Sequence, residues 1–269
     1  GTHKPEVSGS IPLPATKNLF MEKKKKFKLF ENFLLKFPKL SNKLFKYSIN
    51  NTLGKFLKDF QSKEKIDCVY DVGAHKGEWA DFYKDTSLKK SRFILFEANK
   101  FHSKILEKKK YEYFNIILSD KEKIVNFFNN DNSTGDSYYR ENTFLHDNLK
   151  PVKLDTSTLD DVVKKNTLPK PDLIKIDTQG SELDILKGST ETIKDCKLIY
   201  LECPIANYNQ NNLNFNDYLE YMIKINFVPQ EICQIHRFYG YLVQVDILFM
   251  KKDLYRKLNF NEQILSKLF

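Results

Sequence analysis

The sequence has no apolar run that approaches the ~18 residues of a membrane-spanning helix, and it has no secretory signal pattern. Its four cysteines are widely spaced, form no Cys-x-x-Cys pair and have no histidine directly beside them. Such cysteines are typical of buried thiols in a reducing compartment. We therefore expect a cytoplasmic protein without a bound metal, in which any membrane contact is peripheral, at the inner face of the membrane.

The composition has no extreme that would indicate a fibrous or disordered chain. Hydrophobic residues make up 41% and charged residues 29% of the 269 positions, as in ordinary globular proteins. This length fits one α/β domain with an extension. The net charge of +9 is concentrated in the N-terminal third, which separates that region from the rest of the chain.

The N-terminal region is interpreted in two parts. Residues 1–20 contain Pro, Gly, Ser and Thr without periodicity, and we interpret them as a cloning remnant that precedes a native start at Met21. In residues 21–61, Phe and Leu recur at spacings of three and four among many lysines, which predicts basic amphipathic helices broken near Pro38 and Gly54. These helices either adsorb to an anionic membrane surface through residues 21–60 or pack on the main domain.

From Ile66 onward, apolar strand patterns alternate with helical patterns, which predicts a Rossmann-like α/β domain over residues 62–269 with a mostly parallel sheet. The predicted strands are Cys68–Val72, Phe93–Glu97, Phe114–Leu118, Leu173–Asp177 and Leu198–Glu202. The predicted helices are Gly77–Lys84, Phe101–Lys109, Leu159–Lys165 and Ser181–Leu186.

Two segments depart from this alternation. Ile124–Lys153 is rich in Asn and aromatic residues, and we expect it to form an inserted hairpin or loop over the active face. Glu231–His236 and Tyr241–Lys251 are expected to pair as an antiparallel hairpin at the sheet edge.

The first motif is Asp71-Val72-Gly73-Ala74-His75-Lys76-Gly77, in which a buried strand leads through a glycine turn into a helix. Glycines allow the backbone to approach a ligand at the carboxyl edge of the sheet. Glu97 ends the next strand, where an acid can accept hydrogen bonds from ribose hydroxyls. Asp71 occupies the place of the first glycine of a dinucleotide motif. A carboxylate there disfavours a pyrophosphate and suits a cationic ligand such as S-adenosylmethionine.

The second motif is Ile-Lys-Ile-Asp-Thr-Gln-Gly-Ser-Glu, at Ile174–Glu182. It places Asp177 at the carboxyl end of a central strand, facing the ligand crevice. Glu182 follows at the start of a helix, where an acid is also favoured for purely local reasons.

Together with Phe-Glu-Ala-Asn, Ser-Thr-Leu-Asp-Asp and Ile-Tyr-Leu-Glu-Cys-Pro, these motifs resemble the FkbM-type methyltransferases from about Ile66 to Met250. The resemblance implies a class I methyltransferase fold, S-adenosylmethionine as cofactor, and O-methylation of a polyketide, sugar or other glycan precursor. His75 departs from the family, which usually has Asn at this position. The N-terminal basic helices lie outside the resemblance.

The resemblance also implies roles for individual residues. The methionine end of the cofactor would contact Asp71, Gly73, Ala74 and Gly77. The ribose would contact Glu97, with Asn99 nearby, and the adenine would lie near Ser119 and Asp120. The methyl-transfer face would be lined by Asp177, Gln179 and Glu182.

A methyltransferase of this kind needs a base to accept the hydroxyl proton of the acceptor. Asp177 is our first candidate, Glu182 the second, and His236 a third that is otherwise a surface residue. His75, Gln179 and Ser137 are candidate acceptor contacts. Asp177 and Asp120 could offer oxygen ligands to a hard cation, but without a dense carboxylate cluster we expect no metal requirement.

Three other functions are compared with this one. A NAD(P)-dependent dehydrogenase is disfavoured by Asp71. A nucleic-acid methyltransferase is suggested by the basic pI and the aromatic content, but no Asn-Pro-Pro-Tyr-like motif is present and the basic residues cluster in the extension. A non-catalytic module recruited by the basic helices is disfavoured by the retained cofactor positions. The sequence predicts neither the acceptor nor the oligomeric state.

Overall fold

A computed structural model describes residues 52–129, 135–140, 149–206, 210 and 213–258. Backbone contacts divide the chain into two units, Gly1–Asn50 and Asn51–Phe269, and all of the described residues belong to the second. The predictions for residues 1–51 therefore lie outside the described residues. Within the described ranges, no helix combines the length and the apolar character needed to cross a membrane.

Ten strands build the described part of the chain. They are β1 (Cys68–Val72), β2 (Arg92–Glu97), β3 (Glu112–Asn115), β4 (Ile117–Leu118), β5 (Ile124–Phe127), β6 (Val152–Ser157), β7 (Leu173–Ile176), β8 (Leu198–Pro204), β9 (Phe227–Phe238) and β10 (Tyr241–Lys251). Seven form one sheet in the order β3-β2-β1-β7-β8-β10-β9. β10 is antiparallel to both of its neighbours, and the other pairings are parallel. The predicted α/β fold, with a mostly parallel sheet and an antiparallel C-terminal hairpin, is confirmed.

Helices cover both faces of this sheet. They are α1 (Thr52–Gln61), α2 (Glu78–Thr86), α3 (Ser103–Lys108), α4 (Leu159–Asn166), α5 (Glu182–Lys187), α6 (Phe215–Lys224) and α7 (Lys252–Leu258), with short 3-10 turns at Lys100–His102 and Thr192–Lys194. Residues of α4, α5 and α6 pack in one core with Tyr70, Ile174 and Ile199. Residues of α1, α2, α3 and α7 pack in the other with Val69 and Leu173. Because strand side chains alternate between faces, each central strand contributes to both cores.

The helix α1 is part of this domain. Its residues Leu53, Leu57 and Phe60 are buried in the same core as the sheet. Gly54, which was expected to break a helix, lies within α1 and is buried. The last ten residues of the predicted extension thus pack on the domain, because their apolar face follows the spacing of three and four along one side of the helix.

The predicted strand Phe114–Leu118 is divided in two. β3 pairs with β2 in the main sheet, whereas β4 turns away and pairs with β6 in a small sheet of order β4-β6-β5. The backbone N–H of Ile116, between the two strands, donates to the carbonyl oxygen of Glu97 at 3.1 Å. β5 and β6 pair as antiparallel strands in this small sheet, and Phe127 with residues 135–138 reaches the carboxyl edge of the main sheet. Residues 130–134 and 141–148 of the predicted insertion lie outside the described residues.

Candidate active site

The turn after β1 holds the backbone close to the end of β7. Gly73 has a φ of 74°, and a Cβ at this position would lie 1.9 Å from the carbonyl oxygen of Asp177. The N–H groups of Gly73 and Ala74 both donate to the carbonyl oxygen of Phe96, at 2.9 and 3.1 Å. A side chain at position 73 would therefore force the ends of β1 and β7 apart, which explains why glycine is required here.

Glu97 is held rigidly at the end of β2. Its two carboxylate oxygens accept hydrogen bonds from the backbone N–H groups of His75 and Asn99, at 2.6 and 2.7 Å. Burial raises the pKa of Glu97 to about 7, although these two hydrogen bonds oppose the rise. Each carboxylate oxygen retains a further lone pair, so that Glu97 can accept hydrogen bonds from a diol.

A cavity opens between the ends of β1, β2, β4 and β7, at the carboxyl edge where open α/β sheets bind ligands. Its walls include Gly73, His75, Glu97, Ile116, Ile117, Leu118, Phe127, Asp136, Ser137, Asp177 and Gln179. The apolar side chains at β4 and Phe127 can pack against a purine ring, and Glu97 can bind a ribose. The cavity and the close glycine turn therefore fit an adenosyl cofactor.

Asp71 does not line this cavity. Its side chain is fully buried in the sheet, and its Oδ1 lies 3.0 Å from Nζ of Lys175. Lys175 also donates to the carbonyl oxygen of Gly73 at 2.8 Å and lies 3.4 Å from Oδ2 of Asp177. The carboxylate that was expected to contact a cationic ligand is thus paired with a cation of the protein itself.

Asp177 and Gln179 line the cavity just after the end of β7. Asp177 is partly exposed and lines the cavity. The side-chain amide of Gln179 donates to Oδ1 of Asp177 at 3.3 Å and to Oε2 of Glu202 at 2.6 Å. The backbone of Gln179 has a φ of 54°, a left-handed conformation that turns the chain sharply between β7 and α5. Asp177 therefore faces the cavity with its position fixed from two sides.

Glu182 stabilises the turn between β7 and α5 and does not line the cavity. Its carboxylate is buried and accepts hydrogen bonds from the N–H groups of Thr178 and Gly180 and from the hydroxyl of Tyr218, at 2.7–3.1 Å. Burial raises the pKa of Glu182. A carboxylate with so many protein donors, and outside the cavity wall, is placed to brace the backbone that carries Asp177.

Residues of the inserted segment close one side of the cavity. Asp136 accepts a hydrogen bond from the side-chain amide of Asn99 at 2.8 Å, and Ser137 donates to the carbonyl oxygen of Gln179 at 2.8 Å. The hydroxyls of Tyr138 and Tyr139 both donate to Oδ2 of Asp184, at 3.0 and 2.6 Å. The segment 135–140 is thus fastened to three different parts of the domain.

Ser119 and Asp120, assigned to the adenine position, lie just beyond the cavity-lining residues of β4. The buried hydroxyl of Ser119 is 3.0 Å from both Oδ1 of Asp120 and the hydroxyl of Tyr138. Asp120 also forms an ion pair with Lys123 at 2.6 Å. In this arrangement both side chains contact the inserted segment or its base, and the cavity wall here consists of Ile117 and Leu118.

His75 lines the cavity and contacts a second histidine. Its ring centroid lies 4.2 Å from that of His102, which is buried and has no hydrogen-bond partner for its ring nitrogens among the described residues. Burial lowers the pKa of His102. Potential metal ligands lie within 4.8 Å of one another in His102, Glu97 and Asp136. Among the described residues this group comes nearest to a cation site. The pair considered from the sequence, Asp177 with Asp120, is not part of it.

His236 lies on β9 beside a buried acid. Its Nε2 is 3.2 Å from both carboxylate oxygens of Asp246, and Asp246 also accepts a hydrogen bond from the hydroxyl of Tyr200 at 2.6 Å. The hydrogen bond to Asp246 raises the pKa of His236. Asp246 lies directly opposite Glu202 in the register of β10 and β8, so His236 belongs to the same polar edge as Asp177, three strands away.

Sequence reasoning missed Lys175, Glu202, Asp136 and Asp246. Lys175 lies inside an apolar run, where a charged residue buried on a central strand signals a buried partner. Glu202 ends a predicted strand and was available from the same rule that identified Asp177. Asp136 and Asp246 gave no local signal, because their neighbours come from distant parts of the chain.

Comparison with known proteins identifies the family. The model of the methyltransferase FkbM domain matches residues 71–243. A 51-residue stretch is 33% identical to the hexuronic acid methyltransferase AglP of Haloferax volcanii, over 19% of this chain and 21% of that protein. This chain therefore matches about a fifth of the length of that curated relative.

Two solved structures are similar at low identity. The methyltransferase FkbM from Methylobacillus flagellatus is 15% identical with a TM-score of 0.44, over 68% of this chain and 43% of that chain. The magnesium protoporphyrin IX methyltransferase from Synechocystis with bound S-adenosylmethionine is 10% identical with a TM-score of 0.43, over 75% and 77%. The family match, which covers well over half of the chain, carries the assignment. The chain belongs to the FkbM methyltransferase family, and its cofactor is S-adenosylmethionine.

Proposed function

We propose that this member of the FkbM methyltransferase family transfers a methyl group from S-adenosylmethionine to a hydroxyl of a sugar, a glycan or another small-molecule precursor. The observation that carries the proposal is the position of Asp177, a carboxylate that lines the cofactor cavity at the end of a central strand. The hexuronic acid in the name of the distant relative supports a sugar acceptor. Family membership leaves no place for the dehydrogenase alternative.

The cofactor-binding roles follow from the cavity. Glu97 would accept hydrogen bonds from the two ribose hydroxyls, since both of its oxygens are fixed by backbone donors. The close turn at Gly73 would hold the methionine end next to Asp177. Ile117, Leu118 and Phe127 would enclose the adenine. Asp71 would act indirectly, by holding Lys175 against the carbonyl oxygen of Gly73.

When bound, S-adenosylmethionine supplies an electrophilic methyl group together with its own leaving group. The protein has to align the acceptor oxygen and remove its proton. In our proposal Asp177 accepts the hydroxyl proton as the oxygen–carbon bond forms and the carbon–sulfur bond breaks. Gln179 would hold Asp177 in place through the 3.3 Å hydrogen bond. Glu182 would brace the turn, and His236 would lie too far along the sheet edge to share the same hydroxyl.

The test is a methyl-transfer screen with isotopically labelled S-adenosylmethionine against neutral sugars, amino sugars, uronic acids and lipid-linked glycans. We expect a labelled methyl ether that survives mild alkaline hydrolysis, and an Asp177→Asn variant that binds S-adenosylhomocysteine normally but has lost most turnover. A methyl ester, which alkali cleaves, or methylation at nitrogen would overturn the assignment to a hydroxyl.

A further inference from the structure

We infer that the domain binds a divalent transition cation of the zinc class when the cofactor is absent, and that this cation and S-adenosylmethionine exclude each other. The ligands are Glu97, His102 and Asp136, here called the metal triad. The existence of the site does not depend on the proposed function. The exclusion of the cofactor rests on the proposed contact between Glu97 and the ribose.

The imidazole of His102 points to a missing ligand. His102 is 1% exposed, yet neither of its ring nitrogens has a hydrogen-bond partner among the described residues. A neutral imidazole has one donor and one acceptor nitrogen, and buried polar groups of this kind are rarely left without partners. A divalent cation would use the lone pair of the acceptor nitrogen, and histidine is the commonest metal ligand in proteins.

The three groups of the metal triad already lie close together. One imidazole nitrogen and one carboxylate oxygen from each acid all lie within 4.8 Å of one another. In a tetrahedral zinc site with ligand bonds of about 2.0–2.2 Å, the ligand atoms are separated by about 3.3–3.6 Å. The triad would therefore have to close by at most about 1.5 Å around an ion, which is a change that side-chain rotations can supply.

Asn99 holds all three members of the metal triad in place. Its backbone N–H donates to Oε1 of Glu97 at 2.7 Å, and its side-chain amide donates to Oδ2 of Asp136 at 2.8 Å. Its backbone carbonyl oxygen accepts a hydrogen bond from the N–H of His102 at 3.1 Å. Hydrogen bonds to metal ligands from surrounding residues fix the orientation of the ligands and strengthen metal binding. The arrangement around Asn99 is therefore the support that such a site needs.

The donor set indicates the class of ion. Imidazole suits zinc and other first-row transition ions, whereas Mg²⁺ and Ca²⁺ prefer oxygen ligands alone. Three protein ligands leave the fourth tetrahedral position for water. Both hydrogen bonds to Glu97 come from neutral backbone N–H groups, and within the described ranges no lysine or arginine forms an ion pair with this carboxylate. A bound cation would therefore balance a buried negative charge.

Glu97 connects the metal triad to the cofactor. Glu97 and Asp136 line the cofactor cavity, whereas His102 is not part of its wall. Each oxygen of Glu97 already accepts one backbone hydrogen bond, so a ribose diol and a cation would need the same remaining lone pairs. The two ligands therefore exclude each other, and the cation inhibits methyl transfer by competition with S-adenosylmethionine.

The experiment uses the full chain, freed of metal with a chelator and then dialysed at constant pH. Zn²⁺ is titrated by calorimetry, and Co²⁺ serves as a spectroscopic substitute that reports tetrahedral coordination. We expect one ion per chain, with a dissociation constant of about 10 µM or less, that responds to the cofactor product. S-adenosylhomocysteine at ten times its own dissociation constant should weaken the binding of this ion about tenfold. A titration of zinc into S-adenosylhomocysteine alone is the blank.

Variants connect the ion to the metal triad. His102→Phe should weaken zinc binding at least about tenfold, since even the loss of a residue beside a metal ligand typically costs 10–100-fold, and should leave the affinity for S-adenosylhomocysteine unchanged. Asp136→Asn keeps an acceptor for Asn99 and should also weaken zinc binding. The matched control is His236→Phe, which removes a histidine that also lies beside a carboxylate, that of Asp246. This control should bind zinc as the wild type does.

Several results would overturn the inference. They are the absence of zinc binding to the wild type, zinc binding that S-adenosylhomocysteine does not weaken, and zinc binding that persists unchanged in His102→Phe. A thiolate-to-cobalt charge-transfer band would place the ion at a cysteine and would also overturn it. The wild-type titrations decide without any variant, so a variant that fails to fold does not remove the test.

The two proposals can fail separately. Metal-free protein that binds S-adenosylhomocysteine but methylates no hydroxyl acceptor would contradict O-methylation and leave the metal triad intact. Methylation of a hydroxyl by protein that binds no zinc would support the proposed function and contradict the metal triad.

Discussion

The ammonium group of Lys175 lies 3.0 Å from the carboxylate of Asp71, and both side chains are almost completely buried within the sheet. Burial by itself would lower the pKa of Lys175, but the carboxylates of Asp71 and Asp177 outweigh it and hold the pKa above its usual value. Lys175 therefore remains a cation in the interior. It joins β1, the glycine turn and the end of β7, the three elements that form one wall of the cofactor cavity.

Removing this cation should be very costly. Lys175→Met leaves the buried carboxylate of Asp71 without a partner, and we expect the free energy of unfolding to fall by about 3–5 kcal/mol. The double variant Asp71→Asn with Lys175→Met should recover part of this loss, because no isolated charge remains. Denaturant unfolding of the four proteins in this cycle measures the coupling.

The matched control for that cycle is Lys170→Met. Lys170 forms a 2.5 Å ion pair with Asp195, but both side chains are exposed. Its loss should change stability by less than about 1 kcal/mol. If Lys175→Met proves as mild as Lys170→Met, the buried pair does not have the role that its geometry suggests.

Alanine variants of Asp177 and Glu182 should differ in their effects: the first should mainly reduce turnover, and the second should mainly reduce stability. Asp177→Ala should reduce turnover at least a hundredfold, since a positioned base typically contributes ~10²–10⁴-fold, and the melting temperature should change little because the side chain is partly exposed. Glu182→Ala leaves Tyr218 and two backbone N–H groups without an acceptor, and should cost about 3 kcal/mol or more. The measurements are turnover with labelled cofactor and thermal unfolding. The reverse pattern would make Glu182 the base.

Binding of the cofactor product should depend on pH through Glu97. The pKa of Glu97 is about 7 in the free protein, and hydrogen bonds from a ribose favour the ionised carboxylate. Affinity for S-adenosylhomocysteine should therefore be highest above pH 7, where Glu97 is ionised. It should fall by about tenfold between pH 8 and pH 6, as Glu97 becomes protonated. Calorimetry across this range measures the effect.

Two variants test whether Glu97 is the group responsible for the pH dependence of S-adenosylhomocysteine binding. Glu97→Gln should bind more weakly at every pH and show a flat profile, since its side chain does not titrate. His75→Asn removes a second titratable group that lines the cavity and should leave the slope unchanged. A slope that disappears with His75→Asn and persists with Glu97→Gln would transfer the effect to the histidine.

The hydrogen bonds that hold residues 135–140 against Asp184 should slow the release of the cofactor product. Asp184→Ala removes the acceptor for the hydroxyls of both Tyr138 and Tyr139, although Asp184 is not itself part of the cavity wall. We expect S-adenosylhomocysteine to dissociate at least about fivefold and up to about 150-fold faster, as the loss of two hydrogen bonds of about 0.5–1.5 kcal/mol each implies. Stopped-flow displacement measures the rate. Glu191→Ala, an exposed ion-pair partner of Lys194, should leave it unchanged.

Local patterns were sufficient for most of the fold. The apolar runs of β1, β2, β7 and β8 and the helical patterns after them were visible because a strand buried on both faces must be apolar along its whole length. The glycine turn and Glu97 were identified for a similar reason, since both lie at the ends of such runs. The division of Phe114–Leu118 was not visible, because both halves are extended and only their pairing partners differ.

The sequence by itself determined the α/β fold, the cofactor edge of the sheet and the carboxylates that end β2 and β7. Only the tertiary structure decided what those carboxylates do. From the sequence alone, Asp71 could contact a ligand. In the structure β7 pairs with β1 and places Lys175 beside Asp71. Lys175 also donates to the carbonyl oxygen of Gly73, 102 residues away in the chain. Glu182 was a candidate base until the turn supplied it with donors from Thr178, Gly180 and Tyr218. The reason is physical: the role of a charged group depends on burial and on its partners, and long-range strand pairing supplies both.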